Sequence, residues 1–164
     1  MKRTWISEAK MDEPVLIQGF VEHIRNTRNM AFLVVRDFSG KLQVTIEKSE
    51  HSEWSSLLDT LTVESVVSLE GILQKNAQVK LEGRELIPSG LTIESLAAPL
   101  PLTRDANIDT RLDYRWLDLR GEKERLLFEV QTCLVQAMRE YLLERRFLEI
   151  HTPKLIAAAS ESGA

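Results

Sequence analysis

Residues 30–47, MAFLVVRDFSGKLQVTIE, hold two strand patterns joined by a turn. From Lys41 to Glu47 the alternation is strict. Leu42, Val44 and Ile46 share one face; Lys41, Gln43, Thr45 and Glu47 share the other. A period of two marks a strand with one buried face. Upstream, Met30 to Asp37 is rich in Phe and Val, and Phe38-Ser39-Gly40 supplies the turn. The pair is predicted to be a β-hairpin.

The pattern extends outward from this hairpin. Val15 to Arg25 reads as a preceding strand, and Gly19 inside it marks a bulge or a sharp bend. Residues 50–61 fit a short helix with Trp54, Leu57, Leu58 and Leu61 on one face. Residues 65–74 place Val67, Leu69, Gly71 and Leu73 on one side of a fourth strand. A turn near Asn76 leads to a last strand region at about 79–95. Five strands with a helix between the third and fourth is the order of the OB barrel, a fold that commonly binds oligonucleotides across strands two and three. The fold class is therefore mainly β, although fold alone does not fix function.

Pro99 and Pro101 interrupt regular structure and open a connector over 97–121. Residues 122–146 read as one long helix. Leu127, Val130, Leu134, Ala137 and Tyr141 form one apolar stripe, and Phe128, Val135 and Leu142 a second. Two stripes fit either an ordinary core helix or a partner surface. Phe147 to His151 then reads as a strand stopped at Thr152-Pro153.

Composition narrows the class. The 164 residues are 43% hydrophobic and 28% charged, as in globular proteins, with no repeat and no low-complexity tract. No apolar run approaches the ~20 residues of a membrane-spanning helix, and the start MKRTWISEAKM has no apolar signal core. The single Cys133 forms no internal disulfide, which fits a reducing, cytoplasmic setting. Net charge is −4, yet residues 1–48 carry 8 basic against 6 acidic side chains. Arg25, Arg28, Arg36 and Lys41 fall within 25–41 against Asp37 alone. Such a cluster fits a solvated sheet face or a local polyanion site.

Catalytic motifs are missing. His23, His51 and His151 are scattered and Cys133 stands alone, so no zinc spacing exists. There is no P-loop, no G-x-G-x-x-G and no G-x-S-x-G. The best chemical feature is the sheet face, where Phe32 offers a ring and Gln43 an amide. A ring can stack on an unpaired base, and an amide can pair with a base edge. By themselves, both residues also fit a core phenylalanine and a surface glutamine.

Three segments carry a family resemblance. IDTRLDYRWLDLR, Ile108 to Arg120, resembles the hinge signature of aspartyl-tRNA synthetases. FLEIHTPKLI, Phe147 to Ile156, resembles motif 1 of class II synthetases, with Pro153 as its proline. RNTRNMAFLVVRDFSGKLQV, Arg25 to Val44, resembles the family's anticodon-binding OB domain. The segments are collinear and span essentially the whole chain, in the archaeal and eukaryotic style. The resemblance implies an anticodon domain at 1–96, a hinge at 97–121, and at 122–164 a helix plus strand that begin a truncated class II α+β catalytic domain.

It further implies that Phe32 stacks on an anticodon base and Gln43 reads the central uridine. Arg25 and Arg28 would meet the anticodon loop, and Glu85 would lie near the last anticodon base. Glu161 would belong to the loop that closes on the amino acid. Phe128, Val135, Leu142 and Pro153 would build a homodimer interface. The implied parent activity is ATP- and Mg2+-dependent charging of aspartate tRNA through aspartyl-adenylate, with asparagine tRNA open as a second substrate. Motifs 2 and 3, which grip ATP, lie downstream of Pro153 in the family. These 164 residues alone are therefore expected to be inactive and to hold no ATP or metal. A standalone OB-type RNA-binding or regulatory module, or an asparaginyl or lysyl synthetase, are the alternatives.

Overall fold

The computed structural model describes residues 2–103 and 105–153. The chain divides into two compact units, Met1–Pro101 and Leu102–Ala164.

The first unit is a closed barrel of five strands: β1 (Pro14–Asn26), β2 (Met30–Arg36), β3 (Lys41–Glu47), β4 (Val66–Lys75) and β5 (Arg84–Ser95). Their order around the barrel is β1-β2-β3-β5-β4. The expected alternation is realised in β3, where Leu42, Val44 and Ile46 are buried and Lys41, Gln43 and Thr45 lie half-buried on the outside. In β4, Val67, Leu69, Gly71 and Leu73 all face the core, as expected.

Strand β1 serves two neighbours in turn. Pro14 to Phe20 pairs with β4, and Phe20 to Asn26 pairs with β2. The strand changes partner at Phe20, and Gly19 sits beside this handover because the backbone of β2 presses against it. A Cβ at Gly19 would lie 2.5 Å from the Arg36 carbonyl oxygen. The bulge itself comes slightly later, between Val21 and His23. Gly71 plays the same part between β4 and β5, where a Cβ would lie 2.3 Å from the Ile87 carbonyl oxygen.

Two stretches outside the strands complete the core. A 3-10 turn at Ser52–Trp54 and α1 (Ser55–Thr60) bury Trp54, Leu58 and Leu61. Leu57 is exposed, so the expected four-residue face is reduced to three. Ile6, in a 3-10 turn at Ile6–Glu8, is fully buried, a core residue that the sequence reading passed over. Asp37 holds it there. Oδ2 accepts the Ile6 N–H at 2.9 Å, while Oδ1 accepts the N–H groups of Ser39 and Gly40 at 2.7 and 3.0 Å. One buried carboxylate thus closes the β2–β3 turn and pins the N-terminal segment.

The last strand starts later than expected. Residues 79–83 belong to a turn, because Glu82 and Gly83 both take left-handed φ values of 56° and 64°. Neither value is compatible with a strand.

In the second unit the expected irregular connector contains two short helices, α2 (Ile108–Asp113) and α3 (Arg115–Asp118). Asn107 caps α2, its side chain accepting the Thr110 N–H at 2.8 Å. Asp118 accepts from Arg111 Nε at 2.7 Å and Arg115 at 2.6 Å, and Arg111 also pairs with Glu124. Helix α4 spans Glu122–Glu144. It ends two residues early because Arg146 takes a left-handed φ of 65°, with Phe147 N–H donating to Leu142 O and Arg146 N–H to Leu143 O. That is the Schellman stop. Both apolar stripes of α4 are exposed.

Phe147 to Pro153, expected to begin as a strand, carries no regular structure. A strand needs a neighbour for its backbone groups, and the second unit has no other strand among the described residues.

Two outcomes follow from this packing. Gly71→Ala forces backbone apart and should cost about 1–3 kcal/mol, the usual price of overpacking, read as a lower urea midpoint of the barrel. The second outcome concerns Asp118. The Arg111 hydrogen bond and charge, with help from Arg115, hold its carboxyl below the ordinary value against an opposing desolvation. The contact is fully present above the ordinary aspartate value and is lost as pH falls through the lowered one. Carbon-detected NMR should show Asp118 titrating low, and Arg111→Gln should move it back up.

Candidate nucleic-acid interface

The interface is built by pairing register. Arg25 of β1 faces Phe32 of β2, which faces Thr45 of β3. One row along, Val34 faces Gln43, and Gln43 faces Glu85 of β5. A third row pairs Arg36 with Lys41. Directly opposed residues point to the same side of a sheet. Phe32, Val34, Gln43, Thr45 and Glu85 therefore share the outer face of β2, β3 and β5.

Phe32 is half-buried on this face, not a core residue. The Arg25 guanidinium lies 5.7 Å from its ring centroid, within cation–π range. One ring face is thus braced by a cation. Arg25 itself is exposed, as is Arg28 in the β1–β2 turn.

Glu85 is only 8% exposed, and its carboxylate is the hub of the polar row. Asn76 Nδ2 donates to Oε1 at 2.7 Å. The Thr45 hydroxyl donates to Oε2, and Gln43 Nε2 faces the same oxygen at 3.5 Å. Gln43 Nε2 also donates to Thr45 Oγ1 at 3.3 Å. Register thus brings Phe32, Gln43 and Glu85 together, with Arg25 at the margin. Thr45 and Asn76 are partners that the sequence reading missed. Thr45 was legible as the next outward residue of the β3 alternation. Asn76 had no signal beyond its place at a turn.

The basic cluster divides in the folded chain. Lys41 Nζ sits 2.7 Å from Glu22 Oε1, and Arg36 pairs with Glu22 at 3.6 Å and with Glu64. Glu64 is distant in sequence, so a window over 25–41 overstates the charge on this face. The exposed cations of the cluster are Arg25 and Arg28.

An outward row of aromatic, amide and carboxylate groups on the β2–β3 face of an OB barrel suits single-stranded nucleic acid. Residues 15–93 match the model of an OB-fold nucleic acid binding domain. Residues 107–164 match that of the class II tRNA synthetases for D, K and N. The chain is 36% identical over 167 residues to the aspartate–tRNA(Asp) ligase of Picrophilus torridus, covering 99% of this chain and 39% of that protein. It is 39% identical over 157 residues to the aspartate–tRNA(Asp/Asn) ligase of Methanopyrus kandleri, covering 92% and 36%. The chain belongs to the aspartyl-tRNA synthetase family.

It carries the family's N-terminal OB-fold domain, in the archaeal and eukaryotic type, and spans about two-fifths of the length of these relatives. Among solved structures, the asparaginyl-tRNA synthetase of Pyrococcus horikoshii bound to asparaginyl-adenylate superposes with a TM-score of 0.87 at 27% identity, over 100% of this chain and 39% of that one. The aspartyl-tRNA synthetase of Entamoeba histolytica gives 0.84 at 28%, over 97% and 41%. Both synthetase specificities therefore share this architecture.

The other expected site residues lie in the second unit. Phe128, Val135 and Leu142 are exposed on α4, and Pro153 is exposed beyond it. Glu161 lies outside the described residues. Among the described residues no three of His, Cys, Asp and Glu gather as a metal site, so no residue here is assigned to Mg2+ or ATP. No described helix is long and apolar enough to cross a membrane.

Proposed function

We propose that the barrel binds the anticodon of a tRNA on its β2–β3–β5 face, as the recognition domain of a cytoplasmic aspartate–tRNA ligase. The parent enzyme would join aspartate to its tRNA with ATP and Mg2+, the chemistry residing outside the residues described. The observation that carries this reading is the shared outer row of Phe32, Gln43 and Glu85. Phe32 supplies the platform on which an unpaired base stacks, with Arg25 bracing the ring. Gln43 meets the edge of that base, and Glu85 the exocyclic amine of its neighbour. Arg25 and Arg28 lie where the phosphates of a loop would run. Relatives named for tRNA(Asp) and for tRNA(Asp/Asn) match comparably well, so aspartate tRNA is the common substrate of the reading and asparagine tRNA its extension.

The apolar stripes of α4 support a second element of the proposal. Phe128, Val135 and Leu142, with Pro153 following, would form a homodimer surface. A row of exposed Leu, Val and Phe side chains on one helix is a patch that favours association. In an isologous dimer the same patch would serve both subunits.

Binding of an anticodon stem-loop tests the first element. Base–aromatic stacking contributes ~1–3 kcal/mol per base, so Phe32→Ala should weaken binding about ten-fold or more. Gln43→Ala should relax discrimination at the central base with less loss of affinity. Arg25→Ala should weaken all RNAs alike and flatten the salt dependence. Unchanged binding by Phe32→Ala, together with full discrimination by Gln43→Ala, would reduce both to ordinary surface residues. For the second element, sedimentation should show self-association that Leu142→Glu abolishes. A well-ordered monomer at high concentration would count against it.

A further inference from the structure

Asn76 is fixed at both ends of its amide. Oδ1 accepts the Gln78 N–H at 2.9 Å, which leaves Nδ2 as the atom facing Glu85 at 2.7 Å. Its main chain is held as firmly: the N–H donates to Gly83 O at 2.8 Å, and its carbonyl accepts from Val79 N–H at 3.0 Å. Asn76 is therefore a rigid donor built into the β4–β5 turn. Thr45 reaches the same carboxylate from β3, donating to Oε2, while its oxygen accepts from Gln43 Nε2 at 3.3 Å.

An ionised carboxylate only accepts. The relay therefore runs one way, from Gln43 to Thr45 to Glu85, with Asn76 donating to the other carboxylate oxygen. The amide nitrogen of Gln43 is turned inward along this relay. Its carbonyl oxygen is the end left to face a ligand.

We propose that Thr45 and Asn76 are positioning residues for base selection, holding Glu85 and through it the Gln43 amide so that Gln43 Oε1 accepts an N–H from the edge of an unpaired base. The inference rests on the anticodon reading above and adds what fixes its selectivity. Uracil carries an N–H at N3, whereas cytosine presents a bare acceptor there. A locked carbonyl therefore favours uracil and opposes cytosine. An unlocked amide can rotate and offer its NH2 to cytosine, so loss of the lock costs selectivity more than affinity.

The test uses the whole chain and anticodon stem-loops carrying a central U or C. Thr45→Val keeps shape but removes the hydroxyl; Asn76→Ala removes the second donor. Each should lower the U-over-C ratio about ten-fold, the scale of one oriented polar contact. Affinity for the U-containing loop should change by less than about two-fold, the ratio falling through tighter binding of the C-containing loop, as for a selectivity contact. Thr45→Ser restores the hydroxyl and should keep the wild-type ratio.

Wild-type ratios in both Thr45→Val and Asn76→Ala would overturn the positioning role. If Phe32→Ala and Gln43→Ala still behaved as expected, the anticodon reading would survive that failure. No U-over-C preference in the wild type would overturn both. A second readout needs no RNA. The Gln43 side-chain amide protons should be protected from exchange in the free wild-type chain and in Thr45→Ser, and unprotected in Thr45→Val. Free exchange in the wild type would also overturn the inference.

Discussion

Closure of the barrel depends on a very short contact. Strands β3 and β5 are parallel neighbours through only two residue pairs, Gln43 with Glu85 and Val44 with Leu86. Without them the five strands would be an open sheet with two edges. A parallel join cannot be made by a tight turn; here the chain passes through α1 and β4 before β5 arrives. The pairing is alternate in its consequences, because side chains one residue apart point to opposite faces. Val44 and Leu86 point inward and are fully buried. Gln43 and Glu85 point outward and meet. The same register that seals the core therefore assembles the polar row. A slip of one residue would turn Glu85 into the core and dismantle both.

Two carboxylates in the barrel are nearly buried, and their donors separate their roles. Asp37 is satisfied largely by main-chain N–H groups, from Ile6, Ser39 and Gly40. Those donors are fixed by the chain path, so Asp37 acts on the fold: it shapes the β2–β3 turn and seats Ile6 in the core. Glu85 is satisfied by side chains, from Asn76, Thr45 and Gln43. Its donors are free to be chosen by sequence without changing the backbone, which makes it suited to tuning what the outer face presents. Burying a carboxylate without partners is costly in either case. The difference lies in what its partners are attached to.

Much of this was legible before the structure. Strict alternation over 41–47 and the hydrophobic periodicity of 65–74 gave the strands and their inward faces, because period two is imposed by backbone geometry. It also placed Gln43 outside. What sequence could not supply was long-range pairing. Ile6 looks like an isolated residue near the N-terminus until Asp37 binds its N–H. The cations Arg36 and Lys41 look free until Glu22 and Glu64 arrive from other elements. Asn76 becomes informative only when Glu85 is seen beside it. The hinge segment reads as charged and irregular, whereas the ion pairs of Arg111, Asp118 and Glu124 hold α2 and α3 against the start of α4. Most of these contacts join residues distant in sequence, which a local window does not sample, whereas the late start of β5 and the early end of α4 come from left-handed backbone at Glu82, Gly83 and Arg146.

The second unit shows the same limit from the opposite side. Helix α4 forms because its needs are local: good helix-forming residues, Glu122 and Glu124 in the first turn where the helix dipole favours negative charge, and a Schellman stop. The segment from Phe147 to His151 has a strand's composition but no strand beside it among the described residues, and a strand's hydrogen bonds are never local. Apolar content alone therefore separates the two only when a neighbour is present. The same reasoning applies to the exposed Leu and Phe side chains of α4. Their burial is a property of whatever packs against the helix, and a helix that folds on local terms can hold such a surface in place before any partner meets it.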